Sequence, residues 1–468
     1  MKILLLLSCL IGWGISSGQS ALFSAAQIRE DVEFLHSELK SKHPHLYLYT
    51  AKDSVETFFK TISESQDSLT ALEFYNKISL FSDVIKDGHT LLFPSAETLN
   101  FHNNQSAFFP FKLFCDKGQL FVEADYSSTG NLEPGSEILS MNDVSADSIL
   151  QHCLRRLMRD GHNLNYPVWI LNNYFSEYYS YFFGHPASYT IKFRSGAGIV
   201  EEWTIPALVK SEILVNRTKR YGNRAKARGL NQTENDGITI QIDSTSSLAI
   251  LTIRDFDSHV LKRLYQQDFS KSLKAHFSQI RQSPVHDLIL DLRGNQGGDL
   301  KNGILLLSLL MPEPFQVVER FAVVGNSESE DMNARNKEIK GNGTRVFKPQ
   351  PDAYSGNLYV LVDGGSFSNS GIVASAIRHY RRGVIIGEET GGNEKVLCGY
   401  ESLTVLPNTR LQVYIPTRQF VIRDMLGNEG RGVIPDFIIS PSIQGLISGK
   451  DEVLEYCIGL IKDKQGLK

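Results

Sequence analysis

Residues 288–298 have the sequence LILDLRGNQGG, in which an apolar run meets a glycine-rich turn. Residues 358–371, LYVLVDGGSFSNSG, repeat this arrangement and continue into an apolar stretch with helical spacing that reaches Tyr380. Short apolar runs bounded by turns are typical of buried strands, and their alternation with helical stretches predicts helices packed on a central sheet. The two segments therefore predict an α/β domain, which we place at residues 238–468, with both turns at strand ends.

Two further domains are predicted before this one. Residues 19–105 are predicted to form a helix-rich domain, because apolar residues recur at three- and four-residue steps and Thr70 with Glu73 fits a capping box. Residues 106–206 contain short apolar strands separated by turns, which predicts a β-rich domain. Residues 207–237 are polar and rich in Lys and Arg, so we expect a linker or exposed loop; a basic patch for acidic substrates is the alternative. The predicted fold class is multidomain α+β.

The first 18 residues have the features of a signal peptide. A positive residue, Lys2, precedes an apolar run at residues 3–13, and small residues follow at 16–18. We therefore expect an exported protein, periplasmic or extracellular. No later apolar run is long enough to cross a bilayer, so no integral membrane segment is expected in the mature chain. The formal net charge of -4 argues against a nucleic-acid partner.

Four cysteines follow the signal segment: Cys115, Cys153, Cys398 and Cys457. An exported chain can form disulfides, but buried free thiols fit this wide spacing at least as well. None of the four forms a C-x-x-C pair, so no metal site is proposed. Nothing else in the sequence implies a cofactor.

The two glycine-rich turns carry the groups that acyl transfer requires. Glycines at a strand end can present bare N–H groups to a developing oxyanion, and Gly297 and Asn369 are the candidate donors. A serine in a strand-to-helix turn lies above the sheet at a helix N-terminus, which favours negative charge. Ser366, Ser368 and Ser370 all meet this description, and local sequence does not choose among them.

Four motifs in order resemble the C-terminal-processing and tricorn-type serine peptidases, whose retinoid-binding relatives share the fold. The motifs are the DLRGNxGG strand end, the serine turn, a GE-x-T-x-G segment and a GV-x-PD segment, at residues 291–298, 366–371, 387–392 and 432–436. The resemblance implies a crotonase-like fold for the catalytic domain. Residues 132–142, with a Pro134-Gly135 turn, resemble part of a PDZ domain more loosely, which implies a PDZ-like β-rich domain.

The resemblance also implies roles for single residues. The nucleophile of the family falls on Ser368, and its N-terminal histidine base falls on His89. Glu429 occupies the position of the glutamate that orients the histidine in the tricorn-like branch; Asp87 or Asp424 could take this role instead. The processing branch has a lysine base where this sequence has Asn393, which excludes the usual Ser-Lys dyad, although Lys395 lies two residues further on.

These expectations amount to an exported serine peptidase that cleaves peptides or proteins through an acyl-enzyme on Ser368. The sequence leaves two alternatives open: an esterase with the same chemistry, or a non-catalytic protein of the same fold that holds an apolar ligand. It does not indicate the oligomeric state.

Overall fold

The computed structural model describes residues 22–222, 236–325, 329, 335–338, 343–423, 428–464 and 466. Its helices are α1 (Ala25–Lys42), α2 (Lys52–Ser63), α3 (Ala71–Ile78), α4 (Phe81–Ile85), α5 (Ala96–Gln105), α6 (Ala146–Leu154), α7 (Asn165–Phe183), α8 (Lys210–Tyr221), α9 (Ser258–Tyr265), α10 (Phe269–Gln282), α11 (Leu300–Leu310), α12 (Asn369–His379), α13 (Ile443–Ser448) and α14 (Glu452–Lys464).

The first eleven strands are β1 (Leu22–Phe23), β2 (Leu69–Thr70), β3 (Leu91–Phe93), β4 (Ala107–Phe108), β5 (Phe111–Asp116), β6 (Gln119–Asp125), β7 (Glu137–Met141), β8 (Val144–Ser145), β9 (Ser188–Arg194), β10 (Val200–Pro206) and β11 (Leu208–Val209). The other described strands are β12 (Ile238–Asp243), β13 (Leu248–Ile253), β14 (Asp287–Asp291), β15 (Arg320–Val324), β16 (Asn336–Glu338), β17 (Asn357–Val362), β18 (Val384–Gly387), β19 (Val396–Val405), β20 (Gln412–Val421) and β21 (Phe437–Ile438).

The C-terminal part is built on a six-stranded sheet in the order β12-β13-β14-β17-β18-β21, in which every pair except β12-β13 is parallel. Both faces are covered. Leu288 and Leu290 point into one apolar cluster, with α10, α11 and α12, and Ile289 points into the other, with α14. A strand buried on both faces needs a continuous apolar run, which is why this stretch lacks polar alternation.

The N-terminal helices and the β-rich segment share one apolar core. The sheet of the β-rich segment has the order β10-β9-β7-β6-β5, with β8 paired to β7. The core cluster joins Leu35 of α1 to Val122 of β6 and extends to Phe367 of the serine turn. A second contact crosses to the C-terminal part, because β3 pairs with β20 in a sheet of order β16-β15-β20-β19. The predicted domains are therefore in direct contact.

The elements predicted around the two glycine turns are confirmed: β14 and β17 end at the turns, and α12 follows the second. The capping box at Thr70 and Glu73 is also present. The prediction of a loop at residues 207–237 is wrong in its first half, because α8 occupies residues 210–221 with an acidic first turn and a basic last turn that favour a helix. Residues 223–235 lie outside the described part.

Lys86 is the left-handed residue that ends α4, with φ of 57°. The predicted signal peptide lies outside the described residues. The four later cysteines are free and buried. No helix in the described part of the chain has the length and apolar character needed to cross a membrane.

Candidate active site

Ser368 lies at the junction of β17 and α12 in a strained backbone conformation. Its φ of 54° and ψ of -121° fall in a region that residues with a Cβ rarely adopt. Strain of this kind costs on the order of 1–3 kcal/mol and is concentrated at functional sites. The turn lifts the Ser368 hydroxyl above the carboxyl edge of the sheet, at the N-terminus of α12. The geometry is that of a nucleophile elbow, although the sequence lacks the usual G-x-S-x-G pattern.

The other two serines of the turn point into the protein. The Ser366 hydroxyl donates to the carbonyl oxygen of Leu292 and accepts the N–H of Asp363, which ties the two glycine turns together. Ser370 is fully buried. Ser368 is half-buried and lines a cavity, so it alone of the three is reachable from solvent.

The glycine turn after β14 packs directly against Ser368. A Cβ on Gly297 would lie 2.7 Å from the backbone nitrogen of Asn369 and 2.7 Å from the Cβ of Ser368, so only glycine fits at this position. The N–H of Gly297, predicted as an oxyanion donor, donates to Oδ1 of Asn295. In the described residues, by contrast, no acceptor bonds the N–H of Asn369 or of Gly298, and both residues line the cavity.

His89 approaches the serine from the loop that follows α4. Its Nε2 lies 3.0 Å from Oγ of Ser368, and the side chain is only 5% exposed. The imidazole ring stacks on Phe367 with centroids 4.6 Å apart, and Phe367 stacks on Tyr166 of α7 at 4.1 Å. The ring is thus fixed by packing. Its Nδ1 is buried and has no hydrogen-bond partner within the described part of the chain.

Asp87 holds the backbone of the histidine loop. Its Oδ1 accepts the N–H of His89 at 2.9 Å and the hydroxyl of Thr90 at 2.9 Å. Its Oδ2 lies 3.6 Å from Nε2 of His43, and the thiol of Cys398 also interacts with this carboxylate. Although burial alone would raise the pKa of Asp87, the facing His43 and these donors hold it well below its usual range. Asp87 is therefore ionised at neutral pH.

His43, Asp87 and Cys398 are also the one described group of side chains whose arrangement could suit a metal ion, with ligand atoms within 4.8 Å of one another. The tautomer of His43 argues against this use. Its Nδ1 accepts the N–H of His45 at 3.1 Å, so the ring proton is on Nε2, the atom that faces Asp87. A protonated nitrogen has no lone pair for a metal. The cluster fits a hydrogen-bonded support for Asp87 instead.

Residues 159–165, between α6 and α7, join the parts of the site and were not predicted from the sequence. Asp160 accepts the N–H of Gly88 and the N–H of Asn393. The side chain of Asn163 donates to the carbonyl oxygen of Thr390 at 2.6 Å. The N–H of Gly161 donates to the carbonyl oxygen of Lys86. An Asp-Gly-x-Asn sequence resembles an ordinary turn, so no local signal could have identified it.

Glu429, predicted to orient the histidine, forms no hydrogen bond to His89 in the described part of the chain, where Nδ1 of His89 has no partner. The Glu429 side chain is exposed, and its negative charge interacts with the guanidinium of Arg431. The neighbours hold it in this outward position: Asn428 accepts a hydrogen bond from the Asn393 side chain, and Gly430 packs against Gly161. Asp424 lies outside the described residues.

Asn393, at the position of the lysine in the processing branch, connects three other residues through hydrogen bonds of its side chain. Its amide donates to Asn428 and to the hydroxyl of Tyr49, and its Oδ1 accepts the N–H of Lys395. The Lys395 side chain does not line the cavity that contains Ser368. Asp291 and Arg293 form an ion pair, and Arg293 also pairs with Asp451.

The cavity in front of Ser368 has a volume of about 330 Å³. Its wall is largely apolar, formed by Leu91, Phe93, Leu300, Ile372, Leu397 and Phe420. A concave apolar site with a few polar groups at one point is typical of a binding pocket for a side chain or small ligand. Ser368 and His89 lie at that point, and other polar side chains that line the cavity include Asp257, Gln296, Asp299, Asn369, Tyr400 and Glu401.

Comparison with known proteins gives a consistent result. Residues 247–439 match the model of Peptidase family S41. A probable CtpA-like serine protease of Staphylococcus epidermidis is 25% identical over 211 residues, which cover 44% of this chain and 37% of that protein. The tail-specific protease of Haemophilus influenzae is 30% identical over 127 residues, or 27% of this chain and 16% of that protein. The chain thus matches well under half the length of these two curated relatives.

The fold extends the similarity over almost the whole chain. The crystal structure of mature CPAF superposes with a TM-score of 0.66 and 14% sequence identity, and covers 94% of this chain and 97% of that one. At this identity the match concerns the fold, a mixed α/β multidomain arrangement. The resemblance found in the sequence motifs is confirmed.

Proposed function

We propose that this chain, whose residues 247–439 belong to peptidase family S41, is a serine peptidase with Ser368 as nucleophile and His89 as general base. The observation that carries the proposal is the 3.0 Å distance between Nε2 of His89 and Oγ of Ser368 at the wall of an apolar cavity. Nucleophile and base within hydrogen-bonding reach are the core of this chemistry.

The reaction proceeds in two steps. The Ser368 hydroxyl attacks the carbonyl carbon of the scissile peptide bond while its proton passes to Nε2 of His89. The imidazolium then gives this proton to the leaving amine, and an acyl-enzyme remains on Ser368. Water, deprotonated by His89, attacks the acyl carbon; the bond from this carbon to Oγ of Ser368 then breaks, the imidazolium returns the proton to Oγ, and the product acid leaves. Stacking of the His89 ring on Phe367 keeps the ring in place through both steps.

The oxyanion of each tetrahedral intermediate is assigned to the N–H groups of Asn369 and Gly298. Asn369 follows the nucleophile and begins α12, so its N–H also carries the positive end of the helix dipole. Gly298 replaces Gly297 in this role, because the Gly297 N–H is bonded to Asn295. The charge on His89 is balanced by Asp87, and Glu429 has no part in the mechanism.

Two finer assignments extend the proposal. The parallel sheet of residues 238–468 is a crotonase-like catalytic domain. The segment 106–206 is a PDZ-like domain that holds the carboxyl end of a substrate peptide. Its order of elements supports this, since the Pro134-Gly135 turn leads into β7 and then α6. The test compares hydrolysis of one peptide with a free and an amidated carboxyl end; equal KM values would remove the PDZ-like role.

Export, periplasmic or extracellular, is proposed from the first 18 residues of the sequence. N-terminal sequencing of the protein from its native host tests this assignment. A mature chain that begins near Gln19 is expected, and an intact Met1 in the purified protein would contradict export through a cleaved signal.

The decisive test of the proposed function is covalent labelling by a fluorophosphonate probe, followed by peptide mapping. We expect the label on Ser368 of the wild-type protein and none on Ser368→Ala. Hydrolysis of peptides by the labelled protein should stop. A wild-type protein that takes no label and binds apolar ligands would instead be the binding protein of the same fold, and one that cleaves esters but no peptide would be an esterase.

A further inference from the structure

Asp160 is a buried carboxyl group that joins the two halves of the candidate active site. Its Oδ1 accepts the N–H of Gly88 at 2.7 Å, and its Oδ2 accepts the N–H of Asn393 at 3.1 Å. The residue is 1% exposed. Gly88 directly precedes His89. Asn393 directly follows Gly392, and a Cβ added to Gly392 would lie 3.5 Å from Oδ2 of Asp160 and 3.5 Å from the backbone nitrogen of Ser368.

The titratable groups that face Asp160 come from four other parts of the chain. They are Asp87 and His89 on the histidine loop, Tyr49, Tyr166 of α7, and Cys398 of β19. Burial raises the pKa of the two tyrosines and of the thiol well above neutral pH, so these three stay uncharged.

Histidines form a second layer behind Asp87. His43 faces its carboxylate, and burial lowers the pKa of His45 to about 4. Asp87 itself stays ionised, because its pKa lies well below the usual range. Of the two buried carboxyl groups beside His89, Asp160 is therefore the one whose charge changes near neutral pH.

We propose that Asp160 is a positioning residue of this site: its carboxylate fixes the loop of His89 against the turn of Ser368, and its negative charge favours the imidazolium that forms during acyl transfer. This inference rests on the proposed function and adds a residue that the sequence motifs do not contain. It explains how a histidine without a hydrogen-bond partner at Nδ1 in the described residues can work as a base, since charge acts across a short distance in a dry site without direct contact.

The proposal predicts that activity requires the ionised form of Asp160. Burial and, next, the charge of Asp87 raise the pKa of Asp160 to about 6, against the opposing effect of His89 and the two N–H donors. Protonation turns one of its oxygens into a hydroxyl, removes the charge and weakens the hold on Gly88 or Asn393. As the pH falls through about 6, the site thus loses its positioning carboxylate.

The test measures the second-order rate constant for labelling by a fluorophosphonate, in which Oγ of Ser368 bonds to phosphorus, fluoride leaves, and the proton passes to His89. In the wild type, the logarithm of this constant should decline below about pH 6 as Asp160 is protonated. In Asp160→Asn the slope below pH 6 should be smaller by about one, because this proton no longer has to be lost. The rate at pH 8 should fall about 100-fold, the usual effect of misplacing a catalytic group by about 1 Å.

Asp31→Asn is the matched control. Asp31 is 0% exposed and also accepts two backbone N–H groups, from Asn408 and Thr409, but neither donor belongs to the histidine loop or to the serine turn. Both variants should lose thermal stability, and only Asp160→Asn should change the rate and the slope. A rate within about twofold of wild type for a folded Asp160→Asn, or equal losses for the two variants, would overturn the proposal.

Asp160→Glu keeps the proposal testable where Asp160→Asn does not fold, because it keeps the charge but moves the carboxylate by one methylene group. A folded Asp160→Glu with the labelling rate of the wild type would overturn the positioning role. This failure is distinct from failure of the proposed function. A wild-type protein that is never labelled at Ser368 would refute the peptidase and, with it, the role of Asp160. A labelled wild type beside an Asp160 variant of unchanged rate would refute Asp160 alone.

Discussion

The nucleophile side and the base side of the candidate site are built in different ways. Ser368 is held by backbone geometry: a strand end, a glycine turn and a helix start meet within two short segments that are adjacent in the sheet. His89 is held by side chains from distant segments, through Asp87, Asp160 and the ring of Phe367. Because local backbone holds Ser368 and distant side chains hold His89, mutations on the two sides of the site should have different effects.

The largest expected effect is the loss of the nucleophile. Ser368→Ala should abolish labelling and lower hydrolysis by about 10⁵- to 10⁶-fold, as for other serine hydrolases, with little change in melting temperature because the hydroxyl has no packing role. Ser370→Ala is the control, since its buried hydroxyl has no hydrogen-bond partner among the described residues. Activity that disappears with Ser370 and persists without Ser368 would reverse the assignment.

The loss of the base should be nearly as large. His89→Ala should reduce hydrolysis almost as much as Ser368→Ala, and the double variant should be no worse than either, because members of a catalytic unit are strongly non-additive. Lys395→Ala should keep most of its activity. The comparison uses kcat/KM of all four variants. An inactive Lys395→Ala beside an active His89→Ala would indicate a lysine base.

An intermediate effect is expected on the base side from a single methyl group. In Gly88→Ala the new Cβ would lie 2.8 Å from the Phe367 ring and 3.0 Å from Oδ1 of Asp160, so the histidine loop must shift. We expect a fall in kcat of about 100-fold with a folded protein. Gly459→Ala, in α14 with open space around the added methyl group, should leave kcat unchanged. A fully active Gly88→Ala would show that the loop is not held tightly.

The smallest effect is expected at Glu429. Because its side chain is exposed and its resolved partner is Arg431, Glu429→Gln should change kcat/KM by less than about twofold. Asp87→Asn, which removes the carboxylate bonded to the His89 backbone, should cost far more in the same assay. A drop of about 100-fold or more in Glu429→Gln would restore the sequence-based assignment and argue that the segment moves when substrate binds.

The sequence predicted the nucleophile side of the site more fully than the base side. Local patterns predicted the strands β14 and β17, the helix α12 and the family resemblance. Apolar runs and glycine-rich turns depend on only about ten neighbouring residues, so they can be recognised in the sequence. The structure gives the N–H of Gly297 an acceptor two residues away, Oδ1 of Asn295, because a motif does not specify the hydrogen bonds inside a turn. It leaves the Glu429 side chain exposed, because a position in a motif does not state which way a loop side chain points.

The sequence by itself determined the α/β core, the two turns and a histidine within reach of a serine. Only the tertiary structure decided which carboxylates support that histidine. Asp87, Asp160 and Asn393 are separated by 73 and 233 residues along the chain, yet Asp160 bonds the loop of the first and the backbone of the last. Burial is what gives such contacts their strength, since a carboxylate removed from water must be satisfied by whatever N–H groups the fold brings to it. That condition is a property of the folded chain and has no local sequence pattern.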